Sequence, residues 1–361
     1  PTRPPEYPIM PQCRIDYSLL THCHLDHCGM LPAVVGRDKC PVFCTPLTAE
    51  IAEMMMSDSL KIANSEGFPQ PYTYDDIETT MTKVAPVTFD DEITLDGLTD
   101  VAFHSAGHVP GAAMFEFVKD VSTVYTGDLH TADQRLVLGA KPVKCTNLFI
   151  EGTYGGRDHP DKKKTERDFI AKIETVIDRG GTVVIPVFAV GRTQEIMLLL
   201  KDLGYDMWVD GMGRSVTRKF IEYSEYLRNL DDLVRARKAF NIAKNTNRDK
   251  AGRGEIIVTT GGMLDGGPVL RYLRDLKDDP KSAILLVGYQ AEDTNGRLLM
   301  ETGHIMLDDE LVKIECEVEK YDFSAHAGHS ELVDFIRGCD PDNVIIMHSE
   351  TREPLYEDLK G

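Results

Sequence analysis

Four potential metal ligands fall within six residues of one short stretch, "THCHLDHCG" (Thr21–Gly29): His22, His24, Asp26 and His27. Alternate side chains of an extended segment share a face, so His22 and His24 can point at one place. Asp26 and His27 follow at the start of a new element and can reach a second. An open catalytic zinc takes about three protein ligands, so four of mixed type this close exceed one such site. They suit two metals about 3.5–4 Å apart, with the remaining ligands brought from far along the chain. A chain committed to such a site must fold so that distant segments end together.

Several segments are built to do that. "YSLLTH" ends at His22, "VAFHSAGH" leads to His108, "TVYTGD" ends at Asp128, "NLFIEG" reaches Glu151, and "NVIIMH" ends at His348. Each reads as a short buried strand, apolar and β-branched, with a polar group where it stops. Five strands aimed at one edge would place ligands on rigid elements. Asp128 can bridge two cations, because each carboxylate oxygen can bind one. His104 and His130 read as strand or loop residues, and His159 and His304 carry no signal.

Composition narrows the class. The chain has 361 residues, 42% of them hydrophobic, enough for a large core. No run approaches the about 20 apolar residues of a membrane helix, and no leader peptide is evident. The eight cysteines form no CxxC pair and read as reduced, mostly buried thiols of a cytoplasmic protein. A formal net charge of −19 argues against a broad basic surface that coats nucleic acid. It leaves room for a cleft made positive by metals and a few arginines.

The middle of the chain changes character. "TERDFIAKIETVIDR" (165–179) predicts a helix with Phe169, Ile170, Ile173, Val176 and Ile177 on one face. Strand and helix patterns then alternate: "TVVIPVF", "TQEIMLLLKDLG", "DMWVDG", "SVTRKFIEYSEYL", "EIIVTT", "VLRYLRDLKDD" and "SAILLVGY". Such alternation predicts a doubly wound, mostly parallel sheet inserted into the first unit. Within it, "VFAVGRTQE" reads as strand, glycine turn and helix, where Arg192 and free backbone N–H groups could dock a phosphate. "TTGGMLDGGP" is a second glycine-rich loop after a strand; Gly261, Gly262 and Met263 there would allow close backbone approach to a phosphate.

These pieces resemble a family. "THCHLDHCG", "GHVPGA" and "TGD" are similar to the metal motifs of the metallo-β-lactamase fold. "IEGTYG", "IPVFAVGRTQE", "VTTGGMLDGGP", "VGYQAEDTNGR", "DFSAHAGH" and "IIMHSE" resemble the β-CASP nucleases, in order along nearly the whole chain. Within that family the chain resembles the archaeal homologues of the cleavage and polyadenylation specificity factor endonuclease subunit. The resemblance implies an α/β fold: an αββα metallo-β-lactamase sandwich in two parts, residues 1–156 and 301–361, with a β-CASP domain at 157–300. It implies that His22, His24 and His108 hold one zinc, that Asp26, His27 and His348 hold a second, and that Asp128 bridges them. Asp26, Glu151 and His326 would be the catalytic residues, Glu151, His326 and His348 matching three successive β-CASP motifs. The family carries an earlier aspartate just before a segment like "TRPPEYPIMP"; the sequence begins after it and after the first strands, so a fragment of a longer chain is expected.

The chemistry implied is hydrolysis of single-stranded RNA with two zinc ions, a hydroxide shared by the metals attacking the phosphodiester. Protonated His326 would donate to the departing 3′-oxygen, and Glu151 would orient its ring. His329 reads as structural. Cleavage would be endonucleolytic and also 5′-exonucleolytic, in RNA 3′-end processing or decay. A histidine at position 348 resembles the RNA-processing branch, whereas the DNA-repair branch carries valine. The resemblance also implies a homodimer and RNA-processing or transcription-termination machinery as partners. Two other readings share some features: a metallo-hydrolase of small thioesters or lactams, which would not need the insertion, and a catalytically silent scaffold, which would have lost metal ligands.

Overall fold

The computed structural model describes residues 6–89, 91–97 and 99–360. The chain divides into two compact units, one formed by the segments up to Asp158 and from His326 onward, the other by His159–Ala325.

The first unit is a pair of sheets. A three-stranded parallel sheet joins Ser18–Leu19, Val42–Cys44 and Val84–Pro86. A six-stranded sheet runs in the order Asn343–Met347, Asn147–Glu151, Thr123–Tyr125, Ala113–Val118, Thr99–Ser105, Glu92–Leu95. Its first three strands are parallel and the rest antiparallel. Strand Thr99–Ser105 shows why these sequences pack: Val101 and Phe103 are fully buried while their neighbours alternate outward. Phe103 faces Phe115 across the strand pair, ring centroids 4.9 Å apart at 66°. Leu19 and Phe43 of the small sheet pack against the same cluster, so this core joins the two sheets.

Helix Pro46–Glu66 belongs to the same unit. Proline occupies its first turn, and Thr45 caps it by accepting from Thr48 N at 3.3 Å. It buries Leu47, Ile51, Met56 and Leu60 and ends at Gly67, whose φ of 70° suits a residue without Cβ. No helix of the described residues is long and apolar enough to cross a membrane.

The second unit is the doubly wound sheet expected from the alternating pattern. Six parallel strands run in the order Asn241–Ile242, Met207–Asp210, Ile256–Thr260, Val183–Val187, Ala283–Leu286, Glu317–Lys320. The central strands are buried along their length, as parallel strands covered on both faces must be. The crossover after Val183–Val187 leads towards one edge of the sheet, and that after Ile256–Thr260 towards the other. These neighbouring strands therefore form the switch point of the sheet, because right-handed crossovers leaving in opposite directions lie on opposite faces. Helix Lys162–Asp178 begins three residues earlier than expected, where Asp161 accepts from Lys164 N at 2.6 Å.

One expected boundary moves. Residues 301–325 lie in this unit rather than in the first. Hairpin His304–Leu307 with Glu310–Lys313 adds Ile305 and Leu307 to the same core as Ile257, Tyr272 and Ile284. Glu317–Lys320 then extends the parallel sheet beside Ala283–Leu286. A boundary at residue 300 would cut through this core.

Phe103→Ala is expected to destabilise the first unit by about 3–5 kcal/mol, the range for emptying a buried phenylalanine site. Urea unfolding followed by tryptophan-independent circular dichroism checks this; an unchanged midpoint would mean that the two sheets do not share this core.

Candidate metal centre

Each ligand-type residue sits where an element ends. Strand Ser18–Leu19 leads into buried His22, and His24 caps the four-residue helix Leu25–Cys28, which carries Asp26 and His27. His108 lies in the turn after Thr99–Ser105, Asp128 just beyond Thr123–Tyr125, and Glu151 at the end of Asn147–Glu151. His348 follows Asn343–Met347 with φ 48°, a left-handed conformation uncommon for a residue with a side chain.

Two glycines make the close approach possible. A Cβ on Gly107 (φ 67°) would stand 2.2 Å from His130 O, and one on Gly127 (φ 57°) 2.7 Å from Thr21 Cβ. The residues beside the ligands His108 and Asp128 therefore have no room for a side chain. Gln134 Nε2 donates to His108 O at 3.1 Å and to Gly107 O at 2.8 Å, fixing that turn from outside.

All seven expected ligands converge, in two groups sharing one residue: His22, His24, His108 and Asp128, and Asp26, His27, Asp128 and His348. In the first group His24 Nδ1 lies 3.1 Å from both His22 Nε2 and His108 Nε2. Zinc–nitrogen bonds of about 2.0–2.1 Å at tetrahedral angles would set ligand nitrogens about 3.4 Å apart, close to this spacing. Asp128 Oδ2 faces that group, 3.4 Å from His22 Nε2 and 3.7 Å from His108 Nε2. Its Oδ1 faces the other, 3.3 Å from His27 Nε2. Asp26 Oδ2 lies 3.3 Å from His27 Nε2 and 3.4 Å from His348 Nε2.

The polar atoms in this cluster fit cations better than they fit each other. His27 Nε2 and Asp128 Oδ1 are both buried, yet neither makes a hydrogen bond. Buried polar atoms normally find partners, so an orphaned pair aimed at one point is what a metal site presents. Burial holds His22 below its ordinary pKa, His24 down at about 3, and His108 well below the usual range, so these rings are neutral. Neutral imidazole is the form that ligates metal. Burial also pulls His27 down, but the Asp128 and Asp26 carboxylates outweigh it and hold the ring up at about 10. Burial would raise Asp128; His22, His27 and His108 outweigh it and keep the carboxyl far below its usual range.

A third group adjoins the first two: Asp128, Glu151 and His326. Glu151 is fully buried and saturated with donors. Its Oε1 accepts from Leu129 N at 2.7 Å and lies 2.8 Å from His326 Nδ1, while Oε2 accepts from Thr153 N at 3.1 Å. Burial lowers the affinity of His326 for a proton, but Glu151 outweighs it and raises the ring to about 9. His326 Nε2 points back to Asp128 Oδ2 at 3.8 Å.

Two of the other histidines have structural partners. His329 opens helix His329–Cys339, its Nδ1 accepting from Gly156 N and its Nε2 2.7 Å from Asp358 Oδ2. His104 pairs with Glu116 across the strands at 2.7 Å. Cys23 and Cys28 are buried, and burial pushes the Cys23 thiol up to about 12 and Cys28 well above its usual range. Neither sulfur joins the groups of converging ligand atoms, so the imidazole and carboxylate set stands without them.

Arg192, Gly261, Gly262 and Met263 all belong to the second unit and lie at the carboxyl ends of its two switch-point strands. Arg192 begins helix Arg192–Leu200 and is largely buried. Gly261 has φ 113°, and Met263 O accepts from Gly296 N at 2.8 Å. Two supporting residues had no signal of their own in the sequence. Thr21 lies 3.2 Å from His22 Nδ1, and Thr153, inside "IEGTYG", lies 3.0 Å from His348 Nδ1.

A sandwich of this topology with clustered histidines and aspartates at its strand ends defines a metal-dependent hydrolase. Comparison with known proteins makes the assignment specific. Residues 10–179 match the metallo-β-lactamase superfamily model, 193–299 the β-CASP domain, and 311–355 the zinc-dependent metallo-hydrolase RNA specificity domain. "Probable RNase MJ4" of Methanocaldococcus jannaschii is 39% identical over 96% of this chain and 84% of its own length. RNase aCSPSF2 of Saccharolobus solfataricus is 33% identical over 98% of this chain and 73% of its own. Transcription termination factor FttA of M. jannaschii is 33% identical over 94% of this chain, which covers 59% of the factor. The chain belongs to the metallo-β-lactamase-fold β-CASP ribonuclease family.

If Asp128 serves both clusters, Asp128→Ala should lower bound zinc at both sites, read by mass spectrometry under non-denaturing conditions. Retention of two zincs at wild-type affinity would refute a bridging role.

Proposed function

We propose that the chain is a two-zinc ribonuclease that cuts single-stranded RNA internally and also trims from the 5′ end, in RNA 3′-end processing or decay. The observation that carries the reading is the division of Asp128: one oxygen faces the His22, His24, His108 group and the other faces His27. Zinc ions held by these two groups would supply the charge that neutralises a scissile phosphate and lowers a water's pKa from about 15.7 toward about 7.

The chain's own residues do the rest. Glu151 holds the His326 ring by its Nδ1, leaving Nε2 directed at the metal groups. A proton on Nε2 is thus positioned for the departing 3′-oxygen, and the Glu151 carboxylate stabilises the charged ring. Glu151 itself keeps its geometry because Leu129 N and Thr153 N donate to it. Asp26 and His348 are the exposed members of the set, and Asp26 is the carboxylate among them that meets solvent and incoming substrate.

Arg192, Gly261, Gly262 and Met263 are the proposed grip on RNA. They gather at the switch point of the inserted sheet, the place where open α/β sheets take ligands. The glycine loop offers backbone approach, and Arg192 adds positive charge on an otherwise acidic chain. Relatives named as ribonucleases and as a transcription termination factor support an RNA substrate and a place in RNA-processing or termination machinery. Action in the cytoplasm and as a homodimer is part of the same proposal.

His326→Ala should retain both zincs and lose about 10²–10⁴-fold in cleavage of end-labelled RNA, the usual weight of one acid–base group. Loss of zinc in this variant would make His326 a ligand instead.

A further inference from the structure

His348 is the least secured of the metal-facing rings. Its backbone is left-handed at φ 48°, it is partly exposed, and it follows an edge strand of its sheet. Either nitrogen of its ring could face a cation: Nε2 lies 3.4 Å from Asp26 Oδ2, and Nδ1 lies 3.8 Å from Asp128 Oδ1.

We propose that Thr153 is the positioning residue that selects which nitrogen of His348 is free to bind metal. This rests on the two-metal reading above. The Thr153 hydroxyl has one hydrogen, and it donates to His348 O at 3.3 Å. A carbonyl oxygen can only accept. The same hydroxyl oxygen lies 3.0 Å from His348 Nδ1, so it accepts there, and Nδ1 carries a ring proton. Nε2 is then the nitrogen left to face Asp26 and the second metal group; 3.4 Å from Asp26 Oδ2, it donates to that carboxylate until a cation would displace the proton. The two bonds to one hydroxyl also clamp the strained backbone and the ring together, which keeps the left-handed conformation in place.

Thr153 is itself fixed by the acid site. Its backbone N donates to Glu151 Oε2 at 3.1 Å. Glu151 thus orients His326 through one oxygen and carries Thr153, and through it His348, on the other. One buried carboxylate sets the direction of both later histidines.

The test separates the hydroxyl from the backbone. Thr153→Val keeps the shape and the bond to Glu151 but removes the hydroxyl, and Thr153→Ser restores it. Zinc is titrated into metal-free wild type and both variants against a chromophoric chelator. In parallel, histidine-selective ¹⁵N NMR on the zinc-loaded chains identifies which His348 nitrogen binds the metal and which carries the proton. The expected result is that Thr153→Val binds the second zinc about 10–100-fold more weakly, the typical effect of losing a ligand's hydrogen-bond partner, with the first zinc unchanged. His348 should lose its exclusive Nε2 ligation in Thr153→Val, and Thr153→Ser should recover both properties. The unchanged first zinc shows that the variant is folded. Two zincs bound as tightly by Thr153→Val as by wild type, or zinc on His348 Nδ1 in wild type, would overturn the inference. A wild type that binds only one zinc would overturn the two-metal reading and this inference with it.

Discussion

The structure turns on one buried carboxylate. Asp128 is 3% exposed and has histidine nitrogens within 4 Å on both of its oxygens. Burying a charge is costly unless it is paired, and pairing here recruits side chains from four separate segments. The geometry that satisfies Asp128 therefore fixes the order in which strands must lie side by side. It also explains the glycines: Gly107 and Gly127 allow two turns to come within van der Waals distance of Thr21 and His130, and alanine would not fit at either. A polar centre of this kind contributes little net stability. The hydrophobic cluster around Phe103 and Phe115 supplies that, a short distance along the same strands.

The two halves of the first unit are far apart in sequence, and the metal groups are where they meet. His326 and His348 come from beyond the insertion and close on residues that precede it. Glu151 is the pivot, since it ends a strand paired directly with Asn343–Met347 and bonds to His326. The insertion is accommodated because its chain leaves after residue 158 and returns at 326, between Glu151 and the two histidines that depend on it. Its own parallel sheet has a separate core around Ile257, Tyr272 and Ile284.

Much of this was legible in the sequence, for identifiable reasons. Ligand-type residues are rare, and "HCHLDH" crowds them at a density that ordinary surfaces do not show. Strands that end in a histidine or acid were visible because buried strands are apolar runs and their last residue breaks the pattern. The switch-point strands were equally plain, being the apolar and β-branched runs VVIPV and IIVTT. The end of the insertion was not. "EVEK" at 317–320 is an edge strand whose glutamates pair with Lys172 and Arg179, so its polarity hides a place in the sheet. Helix Leu230–Ala239 was also missed, because five charged side chains within ten residues outweigh its buried Leu233 and Ala236. Thr21 and Thr153 were invisible for a different reason. A threonine's hydroxyl acquires a role only from what lies 3 Å away, and nothing in the one-dimensional pattern reports that.

The central claim is that two cations share Asp128. Zinc K-edge X-ray absorption on the zinc-loaded chain tests it most directly, because metal–metal scattering is present only when two ions lie close together. The account predicts about two zincs per chain, nitrogen and oxygen ligands, and a zinc–zinc vector of about 3.5–4 Å that disappears in Asp128→Ala. A single zinc per chain, or two without a metal–metal vector, would contradict it.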